Sequence, residues 1–325
     1  MRYVCIFLLS CITSSLFGQF TYDNLMVDYG SAITYQNLQL VPIRAKDNFF
    51  QQQNSATQSA RSEVRYTPLR EAMERDLLFI RDRGKVNRLF IDNLSNEQVV
   101  LLSGEILRGG KQDRVIGQDM VLPPNTTGNR VPVFCVEEKR WSSPKQWSYY
   151  HEGSMHLRRV VDQSQNQSQI WREVAYELKQ DNVSSKTRAY TSHSKNPQYA
   201  ALEQEYLQAF ALDSFPETGN IVGIVGMSGS VVIGCDIFIS PELFQGEYAG
   251  LVFSYIDEAI TFGLPVDITY GAIKQYCDKL LSNERMQRSF IQQYGKSFTY
   301  DGRIVHITTF NDRVTIGEYE ALRRY

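Results

Sequence analysis

What most limits the fold of this chain is that its strand-like and helix-like segments come in blocks. In the first half, residues 33–41, 88–93, 99–107, 114–121 and 131–137 are rich in Val, Ile, Leu and Phe, punctuated by Gly, Pro and Asn, which is the pattern of short strands. One helix interrupts them at Thr67-Pro68-Leu69-Arg70-Glu71, with Thr67 as N-cap, Pro68 in the first turn and Glu71 close to capping-box register. The second half opens with two helices, whose apolar stripes are Ile170, Trp171, Val174, Ala175 and Leu178, then Leu202, Tyr206, Ala209 and Phe210. A strand pair follows over 221–227 and 231–239, joined around Ser228-Gly229-Ser230. Two further helices carry the stripes Leu251, Tyr255, Ala259 and Ile273, Tyr276, Cys277, Leu280, and short strands close the chain at 302–310 and 313–316. Blocks of this kind, in place of strict alternation, predict an α+β fold on a largely antiparallel or mixed sheet.

Three polar stretches, 51–62, 162–169 and 182–196, read as surface loops between periodic segments. None has the composition of a tether, and no internal repeat is evident. Residues 19–325 are therefore expected to form a single α+β domain.

Residues 1–18 have the layout of a cleavable secretory signal. Arg2 precedes an apolar run from Tyr3 to Leu9, diluted by Ser and Thr as far as Phe17, and Gly18 is a small residue suited to a cut before Gln19. The run is short of the ~20 apolar residues that span a bilayer. Leu8-Leu9-Ser10-Cys11 resembles a lipidation box, but Cys11 comes early and Ile12 follows it. The expectation is an exported, soluble mature protein, periplasmic or secreted, without a transmembrane segment. Without Arg2 the chain holds 33 basic and 36 acidic residues, a balance that argues against nucleic-acid partners. Cys135, Cys235 and Cys277 remain, an odd number that allows at most one disulfide.

Tests for familiar chemistry come out negative. His151-Glu152-Gly153-Ser154-Met155-His156 spaces its histidines five apart, off the shared helical face of a zinc protease, and reads as a surface loop. His306, flanked by Ile304 and Thr308 on its side of a strand, reads as a structural histidine. With no paired Cys-x-x-Cys, neither metal nor cofactor is expected. Gly223-Ile224-Val225-Gly226 and Met227-Ser228-Gly229 lack a phosphate-loop lysine and the Gly-x-Ser-x-Gly spacing of a serine hydrolase.

Residues 103–141 are the dense segment. The glycines of Leu107-Arg108-Gly109-Gly110-Lys111 suit a tight hairpin turn, which would gather Glu105, Lys111, Asp113 and Arg114 near one strand end. Along the next strand Val131, Val133, Cys135 and Glu137 share a face. A thiol and a carboxylate near Lys111, Arg114 or Arg140 make a reactive or ligand-holding cluster. Equally, Cys135 among Val133, Phe134 and Val136 is the small thiol that apolar cores hold, and the charges form a solvated ion-pair surface.

Gly104-Glu105, Gly109-Gly110-Lys111-Gln112-Asp113-Arg114, Val133-Phe134-Cys135-Val136-Glu137 and Arg140-Trp141 together resemble the signature of the ARG and rhodanese-phosphatase-superfamily-associated protein domain, first type. Tyr35-Gln36-Asn37-Leu38, Val41-Pro42-Ile43 and Leu69-Arg70-Glu71-Ala72 are similar to its start, and Gly234-Cys235-Asp236-Ile237-Phe238, Ser254-Tyr255 and Glu258-Ala259 to its later block. The resemblance covers about residues 33–310. It implies a setting of nucleotide or ADP-ribose chemistry, after the ADP-ribosylglycohydrolases and phosphatases for which the family is named, and brings no assigned reaction. On the matched positions, Lys111, Arg114 and Arg140 would grip phosphate or carboxylate beside Gln112 and Asp113, and Trp141 would stack on a ring. Glu105, Glu137 or Asp236 would serve as acid or base. The reading favoured is a binder of a small anionic, nucleotide- or ADP-ribose-like ligand. The alternatives are an exported hydrolase using those carboxylates and a structural or interaction protein of the cell envelope. Whether the chain is an enzyme stays open.

Overall fold

The computed structural model describes residues 20–49, 65–140, 145–267 and 270–310. The expected leader over 1–18, the polar stretch 51–62, Trp141 and the closing strand 313–316 lie outside the described residues. The strands are β1 Leu25–Val27, β2 Ile33–Tyr35, β3 Leu38–Ala45, β4 Tyr66–Pro68, β5 Leu78–Arg81, β6 Arg88–Asn93, β7 Gln98–Leu101, β8 Glu105–Gly110, β9 Arg114–Ile116, β10 Met120–Leu122, β11 Thr126–Cys135, β12 Lys145–Glu152, β13 Ile221–Ser228, β14 Val231–Phe238, β15 Gly295–Tyr300 and β16 Arg303–Phe310. The helices are α1 Leu69–Glu74, α2 Met155–Ser164, α3 Gln167–Gln180, α4 Pro197–Ala209, α5 Pro241–Thr261, α6 Tyr270–Leu281 and α7 Glu284–Tyr294.

This is an α+β fold. One sheet runs β1-β3-β13-β14-β16-β15, with β2 also on β3, and a second runs β12-β8-β9-β11-β6-β5. Both are antiparallel throughout, whereas the small sheet β10-β7-β4 is mixed, with β4 and β7 parallel. Helix α5 is apolar on most of its circumference, with Leu243, Phe244, Tyr248, Leu251, Tyr255, Ile256 and Ala259 buried, and it packs on β13 and β14 of one sheet and β12 of the other. On the far face of the first sheet, α6 and α7 cover a second core that includes Phe20 and Phe49. Phe20 is fully buried, its carbonyl accepts from Gln287 Nε2 at 2.5 Å, and Tyr22 N donates to Leu281 O at 2.8 Å.

Several local expectations are corrected. Residues 33–41 contain a hairpin, because Gln36 takes a positive φ of 44° between Tyr35 and its partner Leu38. Residues 99–107 break at Gly104, and 114–121 divide between β9 and β10, which lie in different sheets. Thr67 is a strand residue whose hydroxyl donates to Glu97 at 2.5 Å, and the N-cap of α1 is Pro68, without a side-chain bond. The turn expected at 107–111 lies beyond Gly110 instead. Both glycines belong to β8, where a Cβ on Gly110 would sit 2.3 Å from the Trp147 ring and one on Gly109 2.5 Å from Gln146 O. Both glycines take a positive φ, +137° at Gly109 and +47° at Gly110, leading into the turn, and they also permit the close approach of β12.

His151 is not in a surface loop either. It is buried in β12, stacked on Phe253 at 4.3 Å, and Ser154 then caps α2 by accepting from Leu157 N at 3.0 Å. The stretch 162–169 ends α2 and begins α3, joined by Gln165 at φ 46°. Within 182–196, Tyr190, Thr191, Ser192 and His193 are buried in a 3-10 turn. Strands β1, β4, β5, β12 and β15 and helices α2 and α7 had no counterpart of their kind among the expected elements.

Candidate functional site

The structure divides the signature residues between two places. At the β8–β9 turn, Gln112, Asp113, Glu137 and Arg140 meet. Every nitrogen of Arg140 donates: Nε to Glu137 Oε2 at 2.5 Å, Nη1 to Gly110 O at 2.9 Å, and Nη2 to Gly109 O at 2.9 Å and Asp113 Oδ1 at 2.8 Å. Asp113 also accepts from Gly109 N at 3.0 Å and Thr191 Oγ1 at 2.8 Å, and Glu137 Oε2 accepts from Asp113 N at 3.2 Å. Gln112 Nε2 donates to Glu137 O at 2.7 Å. Arg114 is fully buried, donating to Gln112 Oε1 at 3.1 Å beside Cys135 Sγ, with Asp82 Oδ2 4.0 Å away. Lys111 N lies 3.4 Å from Asp82 Oδ2. This is a buried clamp that ties the turn to residues 137–140. Burial pushes the Cys135 thiol up to about 11, away from the reactive thiolate, and Cys235 and Cys277 are likewise buried and unpaired.

Glu105 and Asp236 lie elsewhere, in a polar core between the sheets. Arg158 reaches Asp236 with Nη2 to Oδ1 at 2.7 Å and Nη1 to Oδ2 at 3.1 Å. Tyr255 donates to Asp236 Oδ2 at 2.6 Å, and His306 Nε2 lies 2.9 Å from Oδ1. Arg158 Nε stands 3.0 Å from Glu152 Oε2, and Glu152 faces Glu105 across the β12–β8 pair. Burial works against the Asp236 charge, but Arg158 and His306 outweigh it and hold this carboxyl well below its ordinary range. The balance reverses next door, where burial outweighs Arg158 and pushes Glu152 up to about 7. Burial, with Glu247 near, also raises Glu105. Carboxyls that burial pushes toward the neutral form thus sit beside one held in its charged form, all of them sealed from solvent.

Next to this core a cleft of about 500 Å³ opens between the β9–β10 connection (residues 117–119), the end of α2 (Asp162, Gln163, Gln165) and the start of β15 (residues 295–298). Lys296 Nζ donates to Asp119 Oδ1 and to Asp162 Oδ1, both at 2.8 Å. Behind them Ser103 N donates to Asp119 Oδ1 at 2.7 Å and Ser103 Oγ to Asp162 Oδ1 at 2.5 Å. Each Oδ1 therefore takes two donors, while Asp162 Oδ2 is buried without one. Burial raises the Asp162 carboxyl even against Lys296. Among the described residues no three His, Cys, Asp or Glu side chains are placed to hold a metal, and no helix is long and apolar enough to cross a membrane.

Ser103, Asp119, Glu152, Arg158, Asp162 and Lys296 were not among the expected site residues. Asp162 was read as part of a polar loop and Glu152 as part of another. The one local signal was Ser154 followed by Leu157 and Val161, which marks a helix with Arg158 and Asp162 one turn apart. Asp119 and Lys296 have no local signature, since what joins them is the packing of β15 against the β9–β10 connection.

Comparison with family models matches residues 26–314 to the ARG and Rhodanese-Phosphatase-superfamily-associated Protein domain, so the chain belongs to that family. No curated protein and no solved structure matches it.

Proposed function

We propose that this member of the family binds a small hydroxyl-rich molecule, of the sugar or nucleoside kind, in the cleft at Lys296, with Asp119 and Asp162 as acceptors. The observation that carries this reading is the uneven use of the Asp162 oxygens: Oδ1 takes two donors and buried Oδ2 takes none. A buried carboxyl oxygen without a partner costs about 1–3 kcal/mol, and a ligand hydroxyl would relieve it by turning the Asp162 carboxyl toward the cleft. Phe298 in the cleft wall offers a partly exposed apolar face to a ring. Two aspartates against one ammonium leave the cleft short of positive charge. The anion grip expected at Lys111, Arg114 and Arg140 has less support, because Arg140 is engaged at every nitrogen and Arg114 is fully buried.

Thermal shift and calorimetry with ribose, adenosine, ADP-ribose and inorganic phosphate test the reading. The hydroxylated compounds are expected to stabilise the protein, by about 2.7 kcal/mol at a hundredfold excess over Kd, and phosphate is not. Asp162→Asn, which turns an acceptor into a donor, is expected to weaken binding at least about tenfold, the scale of one charged hydrogen bond. Stabilisation by phosphate alone, abolished by Lys111→Ala, would return the ligand to the β8–β9 turn. A hydrolase reading draws on the same cleft, since two carboxyls share Lys296 there and burial pushes Asp162 toward the protonated form of a general acid; mass spectrometry of a bound compound separates turnover from binding.

Export is part of the same proposal, supported by the leader pattern of residues 1–18. The N-terminus of the protein recovered outside the cytoplasm is expected to be Gln19. An intact Met1 on a chain retained in the cytoplasm would refute it.

A further inference from the structure

We infer that Ser103 and Gly104 are positioning residues for the cleft, fixing Asp119 and Asp162 by resting on the buried Arg158. The inference rests on the ligand reading above and adds the device that sets the acceptors. Helix α2 turns Arg158 and Asp162, one helical turn apart, toward the loop between β7 and β8. Asp162 meets Ser103 there. Arg158 passes directly beneath Gly104, where an added Cβ would stand 2.6 Å from Arg158 Cγ and where φ is +104°. Only glycine lets the loop lie this close.

The loop is fixed on its other sides as well. Gly104 N donates to Ile116 O and Gly153 N to Gly104 O, each at 2.9 Å, while Glu105 Oε2 accepts from Leu102 N at 2.7 Å. Arg158 is itself held by Asp236 and Glu152. The chain of contact therefore runs from Asp236 and Glu152 through Arg158 and Gly104 to Ser103, whose N–H and hydroxyl each hold one aspartate. Gly104-Glu105, the first pair of the family signature, gains a role by this route without touching a ligand. A hydroxyl that donates to Asp162 favours its charged form. Loss of that hydroxyl should raise the Asp162 midpoint, whereas loosened packing, by wetting the carboxyl, should lower it.

The test is a pH titration of the Asp162 carboxyl by carbon-13 NMR in the ligand-free protein, together with ribose and ADP-ribose affinity across the same pH range. In Ser103→Ala the Asp162 midpoint is expected to rise by about one unit, with affinity for the hydroxylated compounds falling about tenfold. Ser103→Thr, which keeps the hydroxyl, is expected to restore both. Should Ser103→Ala melt early, Ser103→Cys keeps a weaker donor of similar size and is expected to give an intermediate midpoint. A wild-type midpoint in Ser103→Ala, or in Ser103→Cys if the alanine variant does not fold, overturns the inference. A shifted midpoint in a protein that binds none of the compounds upholds the positioning role and removes the ligand reading alone.

Discussion

Glu152 shows how far a residue's chemistry is set by what surrounds it. The sequence offers it as the second letter of a failed zinc motif, yet it is a fully buried acid facing Glu105 and touching Arg158. Its carboxyl is raised from an ordinary 4.5 to about 7, so the folded chain prefers the protonated form. The associated stability is fully present below pH ~4.5 and is lost as pH rises through about 7. Glu152→Gln, an uncharged mimic of the acid, is expected to keep that stability at pH 8, a difference from wild type on the order of 3 kcal/mol. Urea denaturation at pH 5 and pH 8 checks this, and equal pH slopes in the two proteins would rule it out. Residue types at the signature were legible in the sequence, but their tasks were not. The partners that decide them, at positions 152, 158 and 236 for the core and 162 and 296 for the cleft, lie tens to hundreds of residues away.

At the scale of elements, β3, β6, β11 and the β13–β14 hairpin were legible because their apolar runs are bounded by turn residues. The errors run both ways: strands were carried through Gln36 and Gly104, which do turn the chain, while other glycine and polar residues were taken as punctuation where the element continues. Gly109 and Gly110 continue a strand because β12 crosses against them, and Gln-rich 162–169 is helical because Ser154 and Asn166 cap α2 and α3. Gly110→Ala tests the first point. It places a methyl on the Trp147 ring at φ +47°, and should lower stability by about 2–4 kcal/mol. A chemical-denaturation midpoint unchanged from wild type would mean that β12 does not pass so close. Arg108→Ala, an exposed neighbour on the same strand, loses a ring contact with Tyr150 at 4.4 Å and a bond to Ser194 at 3.3 Å, and as the comparison should cost only about 1 kcal/mol.

The molecule as a whole is two large sheets sharing α5, with the polar core and the cleft lying along the seam between them. The α+β class was legible because it depends on the order of blocks. The seam was not, since no single strand or helix contains it: the cleft takes residues from the β9–β10 connection, α2 and β15. Another consequence lies in the second core, on the far face of the first sheet, where Phe20 is sealed beneath α7 and Tyr22 is tied to the end of α6. Contacts this distant in sequence close slowly and late. A ribosome must therefore deliver residues 281–287 before Phe20 and Tyr22 can make these bonds, so this corner of the second core closes only when synthesis is almost done.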